Sequence, residues 1–215
     1  MNRPQVLTRT PTLPTPSRRE ILRYLGAREE SSELQALIDG ALIEAEPLLR
    51  PAVVYARFSL KKEGTLQNIG FAKSESRDLA KALGGCDELL LFAATLGLEL
   101  DRRISGYGRL SPARALVLQA IGTERIEALC DAFCKEIGAV CRSRGERLLP
   151  RFSPGYGDVP LTLQREIFQA LDCPRRIGLT LTGEMLMSPT KSVTALVGIR
   201  RDGKTPPKER IINVE

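Results

Sequence analysis

The residues with the most chemical potential form one short run, Arg151-Phe-Ser-Pro-Gly-Tyr-Gly-Asp158. A cation stands just ahead of a proline- and glycine-rich turn that also carries an aromatic ring and a carboxylate. Arginine can fork onto a carboxylate or phosphate through two parallel hydrogen bonds. Glycine lets backbone approach a ligand closely, and tyrosine offers a flat face with a polar tip. Two readings stand at this point: an anion or amino-acid site, and a structural turn whose arginine pairs with a nearby acid.

Much rival chemistry is excluded, because the chain contains no histidine. Ser-His-Asp triads, Cys-His dyads and imidazole ligands to zinc, cobalt or haem are impossible within it. Cys130, Cys134 and Cys141 fall on one face of a helical segment. Leu129, Phe133, Ile137 and Val140 share that side, so these thiols read as small core hydrophobes and no metal site is expected. Gly106-Tyr-Gly108 and Gly155-Tyr-Gly157 match neither a dinucleotide fingerprint nor a P-loop. The net charge of +6 raises the question of nucleic acid. The basic pairs Arg18-Arg19, Arg102-Arg103, Arg175-Arg176 and Arg200-Arg201 are scattered, with no basic run, so no nucleic-acid partner is expected.

The elements around the run follow from pattern. Residues 1–16 hold four prolines and four threonines, which predicts a flexible extended arm. Ser17-Arg-Arg-Glu20 is a capping box that starts a short helix. A second helix is expected from about Ser32 to about Ala45, stopped by Pro47. Ala52–Leu60 and Leu89–Ala94 read as strands, Thr65–Ala72 as a hairpin arm and Ser76–Leu83 as a short helix. Ser111-Pro112 is a strong helix start, and the helix that follows runs to about Arg144. Residues 145–160 read as loop, Leu161–Leu171 as helix, and Ile177–Thr182 and Ser192–Ile199 as the last strands. The helices come in runs rather than as single crossovers. The expected fold is therefore α+β, one domain with a mostly antiparallel central sheet flanked by helices. That domain spans 17–201, between the arm and a charged tail, 202–215. No stretch approaches the roughly 18 apolar residues of a membrane span. With no signal peptide and an odd cysteine count, a cytoplasmic protein without membrane partners is expected.

The Arg-x-x-x-Gly-Tyr pattern at 151–156 resembles the S-adenosylmethionine (AdoMet) signature of the activation domain of cobalamin (vitamin B12)-dependent methionine synthases. Ile177-Gly-Leu-Thr-Leu-Thr182 followed by Met187-Ser-Pro-Thr-Lys-Ser-Val193 is similar to the family's downstream text. Leu91-Phe-Ala-Ala-Thr-Leu-Gly97 and Arg23-Tyr-Leu-Gly26 resemble its stand-alone bacterial members. Together these motifs cover most of residues 20–200.

The resemblance implies an accessory subunit of a methyltransferase in methionine biosynthesis, not a complete enzyme. Its client would be a cobalamin-binding methionine synthase or related corrinoid protein. A flavodoxin-like or other one-electron donor reduces cob(II)alamin, and AdoMet supplies the methyl group. Arg151 would hold the carboxylate of the methionine moiety. Phe152, Ser153, Pro154, Gly155 and Tyr156 would line the ligand, the turn through backbone groups and the tyrosine. Glu127 would favour its ammonium or sulfonium charge, and Ser192 and Val193 would shape the site. No catalytic residue of its own is implied. The tail segment Asp202-Gly-Lys-Thr-Pro-Pro207 lacks the tyrosines that hold the nucleoside in the large synthases. The alternative is a non-catalytic module that docks on a corrinoid protein without productive AdoMet binding.

Overall fold

The structure is a computed structural model that describes residues 4–63, 66–201 and 203. In chain order the elements are β1 (Leu7–Arg9), α1 (Arg18–Leu25), α2 (Ser32–Ala45), β2 (Ala52–Ser59), β3 (Lys61–Glu63), β4 (Leu66–Asn68), β5 (Lys73–Ser74), α3 (Arg77–Ala82), β6 (Glu88–Thr95), α4 (Glu99–Tyr107), α5 (Pro112–Arg142), β7 (Glu146–Phe152), α6 (Gln164–Leu171), α7 (Cys173–Ile177), β8 (Thr180–Leu181), β9 (Met187–Ser188) and β10 (Ser192–Arg201). The fold is α+β, and its central sheet, ordered β1-β2-β6-β10-β7, is antiparallel at every pairing.

Alternation along the central strands divides the interior into two layers. Val54, Ala56, Phe58, Leu89, Leu91 and Leu196 face α3, α6 and α7, meeting Leu79, Ile167 and Leu171. Val53, Tyr55, Leu90, Phe92, Ala195 and Val197 face the middle of α5, meeting Ile126, Leu129, Cys130 and Phe133. Strands β2 and β6 are apolar nearly throughout because both of their faces are covered. A third, helical cluster joins α1, α2, α4 and the first half of α5 through Ile21, Ile38, Leu100 and Leu118. Cys130 and Cys141 are buried and Cys134 is half-buried. Burial pushes the Cys130 thiol up to about 12 and the Cys134 thiol up to about 11, so both stay protonated at neutral pH.

Several elements differ from expectation. The proline-rich arm is not loose along its whole length: Leu7–Arg9 pairs with Val53–Tyr55 as an edge strand, and Pro11 is buried. Helix α4 occupies a stretch that gave no helical signal. Residues 146–152 are a strand rather than a loop. Strand β7 is the edge strand opposite β1, and its register against β10 steps from Val197↔Arg151 to Ile199↔Leu148. Two steps on β10 therefore span three on β7, and the extra residue falls beside Pro150. A sheet edge with a bulge is where a strand tolerates proline, which has no N–H to give. The strand expected at 177–182 shrinks to Thr180–Leu181, because α7 runs to Ile177 and ends at Gly178 with φ 65°. The hairpin arm expected at 65–72 becomes β4 of a small sheet with β3 and β5.

Candidate functional site

A cleft of about 600 Å³ opens where β7, α5, α6 and the start of β10 meet. It is lined by Glu127, Arg151, Phe152, Ser153, Pro154, Tyr156, Gln164, Met187, Ser192, Val193 and Thr194. Of the nine residues singled out from the sequence, eight border it, contributed by three separated stretches of chain. Gly155 does not. At φ +88° it turns the chain so that Pro154 and Tyr156 flank the opening. Gln164, Met187 and Thr194 were missed. Gln164 lies within a helical pattern where nothing in its type or spacing marks it, and Met187 and Thr194 gain their position only from the fold.

Arg151 is three-quarters buried on the edge strand. Its Nη2 donates to Glu127 Oε2 at 2.9 Å and to Asp131 Oδ1 at 3.0 Å. Glu127 and Asp131 stand one turn apart on α5 and so share a face. Burial works against the charge on Arg151. Cys130, Glu127 and Asp131 outweigh it and raise its pKa above the ordinary value. The guanidinium and the Glu127 carboxylate, both expected from the sequence to meet a ligand, thus already form an ion pair.

The turn is built from inside. Gly155 N–H donates to Val159 O at 3.0 Å and Tyr156 N–H to Ser153 O at 3.3 Å. Those two donors serve the turn, so it offers the cleft side chains rather than these backbone groups. Asp158 pins the far end: its carboxylate accepts from Ser76 Oγ, from Arg77 N–H at 2.8 Å and from Asp78 N–H at 3.2 Å. In return Asp78 Oδ2 accepts from Asp158 N–H at 3.2 Å. Gly157, at φ +53°, lies where an added Cβ would overlap the Asp78 carboxylate.

Ser192 gains a clear role. It stands opposite Thr95 in the ladder. Its Oγ donates to Pro189 O at 2.8 Å and shares a 2.9 Å hydrogen bond with Thr95 Oγ1, which also accepts from Gly97 N–H at 3.2 Å. The Thr-Leu-Gly and Ser-Val motifs, nearly a hundred residues apart, therefore lock each other at the end of the sheet. Thr190 adds bonds from N–H and Oγ1 to Asp101 at 2.6 and 2.8 Å.

A larger cleft, about 880 Å³, runs along α5 beside the arm and α1, and Glu127 borders both. The smaller one is the stronger candidate. It gathers a cation, a carboxylate, four hydroxyls and an amide around apolar walls of Phe152, Pro154 and Met187, the mix of apolar lining and a few convergent polar groups usual for small-ligand sites. No group of His, Cys, Asp and Glu able to hold a metal is found among the described residues. None of the described helices is long and apolar enough to cross a membrane.

No family model matches the chain, and no curated protein matches it. Its fold is similar to that of a solved structure, the MetH reactivation domain, crystallised bound to AdoHcy. The TM-score is 0.58 at 18% identity, covering 85% of this chain and 70% of that one. The chain thus has the architecture of a methionine synthase reactivation domain.

Proposed function

We propose that this chain binds AdoMet in the Arg151 cleft and serves as a separate reactivation subunit for a cobalamin-dependent methionine synthase in the cytoplasm. One observation carries the reading: residues chosen from three distant motifs line a single cleft, in a fold shared with a domain crystallised with AdoHcy. The residues present fit the ligand. Arg151 can fork onto the methionine carboxylate, Glu127 can offset a sulfonium or ammonium, and Phe152, Pro154 and Met187 supply apolar walls. AdoMet would give its methyl group to cobalt on the partner after one-electron reduction by a separate donor, leaving AdoHcy. This chain's own work would be to hold the methionine end, fix the sulfonium against Glu127 and present the methyl group at the open mouth, where Tyr156 is 69% exposed.

A second reading has a specific observation behind it. Arg151 is paired with Glu127 and Asp131, and two backbone donors of the turn are consumed internally. A module that docks on a corrinoid protein without productive AdoMet binding would look the same. Calorimetric titration with AdoMet and AdoHcy separates the two. Saturable binding that weakens about 10- to 150-fold in Arg151→Ala is expected for the first. No binding by the intact protein, or equal binding by the mutant, supports the second.

A further inference from the structure

We infer that Gln164 reads the adenine ring of the ligand, an assignment that rests on the AdoMet reading above. Gln164 opens α6, borders the Arg151 cleft and is only 5% exposed. Its Oε1 is sealed from solvent and has no hydrogen-bond partner. Among the described residues one other buried side-chain polar atom shares that condition, Arg200 Nε, and Arg200 does not border the cleft.

Buried acceptors are nearly always paired, because an unpaired one forfeits its water hydrogen bonds and gains nothing in exchange. A leucine or methionine here would fill similar space without that cost. The carboxamide is accounted for if its partner arrives with the ligand. An amide presents an acceptor and a donor side by side, and adenine presents the complementary pair at N6 and N7. Glutamine and asparagine use the same match to read adenine in duplex DNA. Oε1 accepts from the N6 amino group and Nε2 donates to N7. The terminal torsion of glutamine is soft, so the amide can turn toward the ring without leaving its rotamer. Phe152 and Met187 border the same cleft and give the ring apolar cover. Arg151 and Glu127 are left for the charged amino-acid end.

The test is calorimetric titration with AdoHcy and with S-inosylhomocysteine, in which a carbonyl oxygen replaces the N6 amino group. The intact protein should prefer AdoHcy by about 10- to 100-fold. In Gln164→Leu that preference should collapse to within about 2-fold, with the loss falling on AdoHcy, while the melting temperature of the free protein stays level or rises because the unpaired acceptor is gone. Gln164→Met, unbranched and similar in length, should behave alike and serves if the leucine variant does not fold. Retained preference in these variants, or an equal loss for both ligands, overturns the assignment. If the intact protein binds AdoHcy and Arg151→Ala weakens it, that failure is confined to Gln164. If the intact protein binds neither ligand, the AdoMet reading falls with it.

Discussion

Arg151 on the edge strand donates to the carboxylate of Glu127 on the long helix across 2.9 Å. The two residues are 24 positions apart, and the antiparallel return of β7 beside α5 closes the gap. A ligand carboxylate must therefore share the guanidinium with Glu127 or displace it. An arginine has five N–H donors, and the bonds seen to Glu127 and Asp131 both use Nη2.

The Glu127 carboxylate should discriminate by charge. In the AdoMet reading, Glu127→Gln lowers affinity for sulfonium-bearing AdoMet more than for uncharged-sulfur AdoHcy. The ratio of the two affinities should fall about 2- to 5-fold, the range of a partly exposed ion pair. Calorimetry on the pair of ligands measures it. An unchanged ratio would remove Glu127 from the site and leave it as a positioner of Arg151.

Glu124→Ala should destabilise the fold by about 3–5 kcal/mol. Glu124 and Arg125 are buried neighbours, with Arg125 Nε and Nη2 donating to the Glu124 carboxylate at 2.5 and 2.6 Å. Arg125 Nη1 also donates to Pro14 O, and Glu124 accepts from Ser17 N–H at 3.0 Å. Removing the carboxylate leaves a buried guanidinium uncompensated and unties Ser17, the N-cap of α1, from α5. Urea unfolding reads the change, and a loss below about 1 kcal/mol would contradict it.

Gly157→Ala should cost about 1–3 kcal/mol, from a left-handed φ and the displacement of Asp78 from its bond to Asp158. The same substitution should loosen the turn that carries Tyr156. Unfolding curves measure the first effect and limited proteolysis within 153–159 the second. A variant as stable and as resistant as the parent would show that the Asp78 contact is dispensable.

Asp158 links the turn to pH. Its hydrogen bond from Ser76, then those from Arg77 and Asp78, hold its pKa below the usual carboxylate value. The charged form is favoured by folding, so its stabilisation is full above the unfolded pKa near 4 and is lost as pH falls through the folded one. The stability gap between the parent and Asp158→Asn should be constant from about pH 5 to 7 and shrink below about pH 4. A gap that does not change with pH would mean the bonds contribute through geometry alone.

Much of the scaffold was legible in local sequence because local physics decides it. Ser17 caps α1 and Ser76 caps α3 through their own hydroxyls, at 3.4 and 2.9 Å. Pro112 stands at the first turn of α5, and β-branched and apolar runs mark β2, β6 and β10. The site was legible as a set of residue types and motifs. Eight of the eleven residues that line the cleft were named from the sequence as one site, and the fold added Gln164, Met187 and Thr194.

What the sequence alone determined is the chemistry on offer: no imidazole, a lone Arg-to-Tyr turn, and helix and strand periods that demand an α+β core. Only the tertiary structure decided how that chemistry is used. Strand β7 exists because β10 supplies the ladder that Pro150 would otherwise discourage, and no local propensity encodes a partner strand. Arg151 is paired because α5 passes beside it. Ser192 is a structural latch because Thr95 falls opposite it in register. Gln164 matters because packing buries its amide oxygen without a partner. Each of these depends on contacts between residues far apart in the chain, which side-chain type and spacing do not specify.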